Sequence, residues 1–275
     1  MFETYWGLKG KPFLNTPNPR FVFYSNSHEE ALVRMLYTVT ESKGLMLLLG
    51  EEGIGKTYTA QLFATEMKAK GYPVGFLKSP GRTPDDLLIQ TLYEFGIPNP
   101  NVSSVEKLQI LGEAAVGVGR TGRHLILIID DAQLIQDGPT FEEIRAFLNI
   151  TGEEHFLISV VLSGTPNLWQ HLVAVSGMQQ RVGVSYRILP LDREETEEYV
   201  VHRLDCVGRT EPVFEPGSFD LIYSATRGIP REINNLCDLC LLIGSGEEVD
   251  RVGVSLIDRA LEEQAGTKVY GDGER

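Results

Sequence analysis

Gly50-Glu51-Glu52-Gly53-Ile54-Gly55-Lys56-Thr57 fits the pattern G-x-x-x-x-G-K-[ST] in full, follows the apolar run Leu45 to Leu49, and leads into a helical pattern. A buried strand, a tight glycine turn and a helix start, in that order, aim backbone N–H groups and the positive end of a helix dipole at one point. That arrangement suits a string of phosphates. The reading therefore predicts a nucleoside triphosphate held along Gly50, Glu51, Glu52, Gly53, Ile54, Gly55, Lys56, Thr57 and Tyr58, with Lys56 reaching the β/γ-phosphates and Thr57 holding Mg²⁺.

Working outward, short apolar runs at 45–49, 74–78, 125–129, 156–162 and 185–189 alternate with helical patterns, as strands buried on both faces of a parallel sheet do. Ser27, with Glu30 three residues on and Ala31, Leu32, Met35, Leu36 and Val39 at helical spacing, predicts a capping box at the start of the helix preceding the first strand. Thr83-Pro84-Asp85-Asp86 and Asp137 with Pro139 mark two further helix starts. Five strands joined by crossover helices make a doubly wound α/β layer. After Leu191 the alternation stops, and 192–207, 216–226, 230–243 and 254–264 read as four consecutive helices. The expected organisation is a lead-in over 1–26 packed on the core, an α/β domain over 27–191, a four-helix domain over 192–266 and a flexible tail over 267–275.

A chain of 275 residues with 42% hydrophobic content has ample core. Its formal charge of −13 disfavours a generically basic nucleic-acid binder. No apolar run reaches the roughly 20 residues that span a bilayer, and the start Met1-Phe2-Glu3-Thr4-Tyr5 lacks signal-peptide features, so a cytoplasmic location is expected. Cys206, Cys237 and Cys240 have no second pair or nearby histidines to complete a zinc site and read as reduced thiols.

Leu125 to Ile129 followed by Asp130-Asp131 looks like a Walker B element. At the carboxyl edge of a parallel sheet, Asp130 would face the metal's water shell and Asp131 the attacking water. Here most of the chain, from residue 1 to about 265, resembles the AAA+ ATPases of the ExeA type, which are associated with secretion, pilus and exopolysaccharide assembly. The motifs that carry it are Tyr5-Trp6-Gly7-Leu8-x-x-Lys11-Pro12-Phe13, Thr16-Pro17-Asn18-Pro19-Arg20-Phe21, Ser27-His28-x-Glu30-Ala31-Leu32, the two Walker elements, Ser163-Gly164-Thr165-Pro166-Asn167-Leu168, and Gly228-Ile229-Pro230-Arg231-Glu232-Ile233-Asn234-Asn235.

The resemblance implies a five-stranded parallel P-loop NTPase (AAA+) core followed by a small all-helical lid. It also implies Arg231 as a sensor of the γ-phosphate, Thr165 or, as second choice, Ser163 as the hydroxyl that orients the lytic water, and Arg181, with Arg187 in reserve, as a finger toward a neighbouring subunit's phosphate. His28 is either near the adenine or simply a first-turn helix residue. Relatives read Asp-Glu-Ala-Gln at Walker B, where this chain reads Asp130-Asp131-Ala132-Gln133, one methylene shorter at the water-polarising position. Slow, assembly-dependent ATP hydrolysis is the expectation.

Two functions follow from the resemblance. The first is a homo-oligomeric ring or filament acting as an ATP-driven switch for a protein partner in an envelope, secretion, pilus or exopolysaccharide machine. The second is a DNA-associated transposition regulator of the TnsC, TniB or MuB type, for which Lys68, Lys70, Lys78, Arg82, Arg120 and Arg123 are the basic candidates and which the net charge disfavours. The larger secretion ATPases also carry a transmembrane helix and a peptidoglycan-binding region, neither of which is read in these 275 residues, so a place in that particular secretion complex is not expected.

Overall fold

Alternate residues of three adjacent strands feed two different hydrophobic cores, and this sets the layering. The computed structural model describes residues 2–98, 101–153 and 155–271. In it β1 (Leu45–Leu49), β2 (Val74–Leu77), β3 (Leu125–Ile129), β4 (Ile158–Gly164) and β5 (Val182–Arg187) form one sheet in the order β2-β3-β4-β1-β5. All four pairings are parallel. Leu45, Leu47, Leu125, Leu127, Ile129, Ile158, Val160 and Leu162 pack on one face with α4 (Pro84–Glu94), α5 (Ser104–Gly119), α6 (Gly138–Leu148) and α7 (Asn167–Val173). Met46, Leu48, Ile126, Ile128 and Val161 pack on the other with α2 (Asn26–Thr40) and α3 (Lys56–Ala69). The period-two side-chain alternation of strands, buried on both sides, accounts for the uninterrupted apolar runs.

The chain divides into two units, His28–Ile188 holding this sheet, and Met1–Ser27 with Leu189–Arg275. The second unit carries α8 (Arg193–Asp205), α9 (Ser218–Thr226), α10 (Pro230–Gly246) and α11 (Val254–Gly271). Its core also takes in Phe2, Trp6, Leu8, Phe13 and Phe21 from the lead-in, which includes the one-turn helix α1 (Phe2–Tyr5). The lead-in, expected on the α/β core, therefore clusters with the helices. Trp6 donates from Nε1 to the Leu241 carbonyl at 2.8 Å, and Arg203 donates to the carbonyls of Pro12 at 2.5 Å and Leu14 at 2.7 Å while lying over the Phe21 ring. A buried guanidinium is tolerated when its donors are matched in this way. The aromatic and proline signature is thus a packing element.

Two local expectations differ. The Thr83 and Asp137 caps form as read, Thr83 within a capping box closed by Asp86. Ser27, by contrast, accepts from the Leu189 N–H at 2.8 Å, and its helix begins at Asn26. Of the tail expected over 267–275, α11 runs on to Gly271, and 272–275 lie outside the described residues.

Candidate functional site

The carboxyl ends of β1, β3 and β4 bring the motifs together, because parallel neighbours in register deliver their last residues to one edge. Ile129 pairs with Leu162, and Leu48 with Ser163, so Asp130 and Ser163 emerge at one level, with Gly50 two residues further along at the same sheet edge. Gly53 and Gly55 take φ of +75° and +105°, which lets the chain curl back to the N-terminus of α3. A Cβ on Gly55 would stand 2.9 Å from Nε2 of His28, so no other residue fits there without displacing the ring. That ring nitrogen lies 3.0 Å from the Ile54 carbonyl and must carry the proton, since the carbonyl only accepts. His28 is therefore an anchor of the loop, a role for which a histidine in a first helical turn gives no sequence signal.

Lys56 is buried at 8% exposure and donates to the carbonyls of Gly50 at 3.0 Å and Glu51 at 2.8 Å, gathering the loop around its ammonium. Burial pulls its pKa below the ordinary lysine value, while Asp130, Asp131, Glu52 and Glu51 push in the opposite direction. Thr57 is exposed at the start of α3, and Tyr58 follows it half-buried. Asp130 is 2% exposed, and its Oδ1 accepts from the Ser163 hydroxyl at 2.7 Å. Ser163 thus serves Asp130, whereas Thr165 lies two residues on, half-buried in the turn before α7. Asp131 adopts a left-handed backbone at φ +48°, and its Oδ1 accepts from Nε2 of Gln133 at 3.1 Å. Gln133 also accepts from the Thr165 N–H at 3.2 Å. Neither Gln133 bond was legible in the sequence.

This donor set suits a triphosphate with a hard divalent cation: a cationic Nζ in a glycine turn, a helix N-terminus, a hydroxyl at Thr57 and a carboxylate at Asp130 held by one partner. The two arginines proposed as fingers lie at opposite ends of β5. Arg187, paired in register with Leu49, forms an ion pair with Glu51 of its own phosphate loop at 2.6 Å. Arg181 precedes β5, whose first residue pairs with Leu45, and donates to Asn149 at 2.9 Å.

Arg231, in the helical unit, is exposed on the first turn of α10. Its helix is fixed by Asn234, which accepts from the Tyr199 hydroxyl at 3.0 Å and donates to Asn15 at 3.0 Å, and by Asn235, which accepts from Asn15 at 2.7 Å. Gly228 before it has φ +70°, and a Cβ there would stand 1.9 Å from the Leu191 carbonyl. The basic candidates for DNA divide between the sheet's two edges. Lys68, Lys70, Arg120 and Arg123 lie where α3 and α5 return to the amino ends of β2 and β3, and Lys78 and Arg82 lie beyond the carboxyl end of β2. Lys70 is engaged by Glu66 at 2.6 Å. Among the described residues, no helix is long and apolar enough to cross a membrane.

Residues 39–172 match the AAA domain family. Over 245 residues the chain is 30% identical to general secretion pathway protein A of Aeromonas hydrophila, covering 88% of this chain and 44% of that protein, so it spans less than half of that relative's length. Among solved structures, the Aeropyrum pernix ORC2 protein in its ADPNP–ADP complexes superposes with a TM-score of 0.69 at 16% identity, covering 92% of this chain and 71% of that one. Drosophila ORC bound to DNA gives a TM-score of 0.69 at 16% identity, over 96% of this chain and 66% of that one. The Thermotoga maritima RuvB Holliday junction branch migration motor gives 0.55 at 14% identity, over 91% and 72%. At these identities the structural likeness establishes the fold.

Proposed function

We propose that this chain, whose residues 39–172 match an AAA domain, is an AAA+ P-loop protein that binds and hydrolyses ATP as an oligomeric, nucleotide-dependent switch. The observation that carries the reading is the convergence of Lys56, Asp130 with Ser163, and Asp131 at one sheet edge. In this reading the loop from Gly50 to Tyr58 holds the phosphates, and Thr57 and Asp130 would hold magnesium, which when bound neutralises phosphate charge. Asp131 polarises the attacking water, and Thr165 orients it. Arg231 is the helical unit's sensor of the terminal phosphate.

Arg181 acts on a neighbour's nucleotide. β5 carries one extra residue against β1 between Val182 and Val184, so Arg181 stands about five strand steps from the level where Arg187 meets Leu49, roughly 16 Å at about 3.3 Å per residue, which exceeds the reach of any side chain. Arg187 is the weaker finger, because Glu51 of the same subunit already holds it. The relative named for general secretion supports a partner in an envelope, secretion, pilus or exopolysaccharide assembly system. DNA-dependent assembly stays the second choice: the net charge is −13 and the basic candidates form no single stripe. A salt-sensitive, ATP-dependent gel shift with duplex DNA would reverse that order.

Two measurements probe the site's chemistry. A displacement near 1 Å at a reacting group costs on the order of 100-fold in rate. Restoring the missing methylene with Asp131→Glu is therefore expected to raise single-turnover hydrolysis about 10-fold or more, and an unchanged rate would remove the explanation for slow turnover. Glu51→Gln takes a carboxylate from the phosphate loop and releases Arg187. The expected result is ATP affinity tightened about 2- to 5-fold in low salt and the gain shrinking as salt screens it. Equal affinities at both salt levels would show that the pair does not oppose phosphate binding.

A further inference from the structure

Gln133 lies on a one-turn 3-10 helix (Ala132–Leu134) directly after the acidic pair, and its carboxamide touches two elements at once. Nε2 donates to Asp131 Oδ1 at 3.1 Å, and Oε1 accepts from the Thr165 N–H at 3.2 Å. The amide orientation follows from the partners, since a carboxylate only accepts and a backbone N–H only donates. Asp131 itself is in the left-handed region at φ +48°, a conformation uncommon outside glycine that persists where surrounding contacts hold it. The far side of the bridge is equally confined. A Cβ on Gly164 would stand 2.8 Å from Gln133 Oε1 and 3.2 Å from its backbone nitrogen, so the carboxamide lies directly over the end of β4.

We infer that Gln133 is a positioning residue that fixes the Asp131 carboxylate and ties it to the turn bearing Thr165, so that the water-polarising acid and the water-orienting hydroxyl move as one. This rests on the reading of Asp131 and Thr165 given above. An aspartate is one methylene shorter than a glutamate, so its carboxylate has less freedom to compensate for a shift at its base. A tether on one oxygen leaves the other for the water. Gln133 touches no phosphate-loop residue among its hydrogen bonds, so its removal acts on the chemical step and spares nucleotide binding.

The test uses the full chain under assembling conditions, with ATP affinity, KM, kcat and thermal midpoint measured on each variant. Gln133→Glu keeps the acceptor for Thr165 but replaces the donor with a like charge, and Gln133→Leu removes both bonds at similar volume. For each, kcat is expected to fall at least about 10-fold with ATP affinity and KM within about twofold of the parent. In an Asp131→Asn background, where the acid is already lost, Gln133→Leu is expected to cost less than about twofold, because residues that act as one unit are not additive. A merely structural role would persist in that background and lower the thermal midpoint and affinity together, which would overturn the inference. So would a kcat within twofold of the parent for Gln133→Glu. If the parent does not hydrolyse ATP, or Asp131→Asn leaves its rate unchanged, the inference falls together with the ATPase reading. If both of those controls behave and Gln133→Glu is silent, the inference alone falls.

Discussion

Arg181→Ala will bind ATP as the parent chain does and lose about 1,000-fold or more of its assembled hydrolysis rate, the range in which an arginine supplied to a neighbour's phosphoryl group acts. The loss follows from position. β5 runs parallel to β1, with Val182 level with Leu45 and Arg187 level with Leu49, so Arg181 stands at the sheet edge opposite its own phosphate loop. Its contact with Asn149 is a half-exposed hydrogen bond that leaves the guanidinium free to be exchanged for a stronger anionic partner. Mixing supplies the decisive control. A Lys56→Ala chain, unable to use its own site, should restore hydrolysis to Arg181→Ala chains by lending them its arginine. Full activity in Arg181→Ala alone would show that no arginine is lent at that position.

Lys56→Ala will weaken ATP binding at least about 100-fold, equivalent to about 2.7 kcal/mol. Two effects add. The ammonium is the cation among Asp130, Asp131, Glu51 and Glu52, all four of which act on its ionisation, so its removal leaves a phosphate chain facing carboxylates. It also gathers the loop through the carbonyls of Gly50 and Glu51, and those acceptors lose their buried partner. A fall of affinity below tenfold, with the fold intact by circular dichroism, would mean that the loop binds phosphate without its lysine.

The fold was legible where local pattern and burial coincide. β1 and β3 are continuous apolar runs whose two faces both meet helices, and their bounds agree with the residues as read. β5 was read at 185–189 but spans Val182–Arg187, because it is an edge strand with residues alternately exposed, including Gly183 and Ser185, and so has little apolar signal. β4 continues past its apolar run through Ser163 and Gly164, where the hydroxyl bond to Asp130 and the pairing with Leu48 and Leu49 extend it. The phosphate loop carried its own chemistry in the order of its residues. The rest of the site did not, because its contacts join residues distant in sequence: Ser163 to Asp130, His28 to Ile54, Thr165 to Gln133. The lead-in is the extreme case. Its aromatics showed that something must be buried, but its partners lie as far along the chain as Leu241, beyond the reach of any local periodicity.

The central claim is that residues 50 to 57 and the acids at 130 and 131 grip a nucleoside triphosphate with magnesium. Isothermal titration of the folded chain with ATP, with and without magnesium, tests this most directly. One saturable site per chain is predicted, tightened by magnesium and lost in Lys56→Ala. A folded chain that takes up neither ATP nor ADP would contradict it.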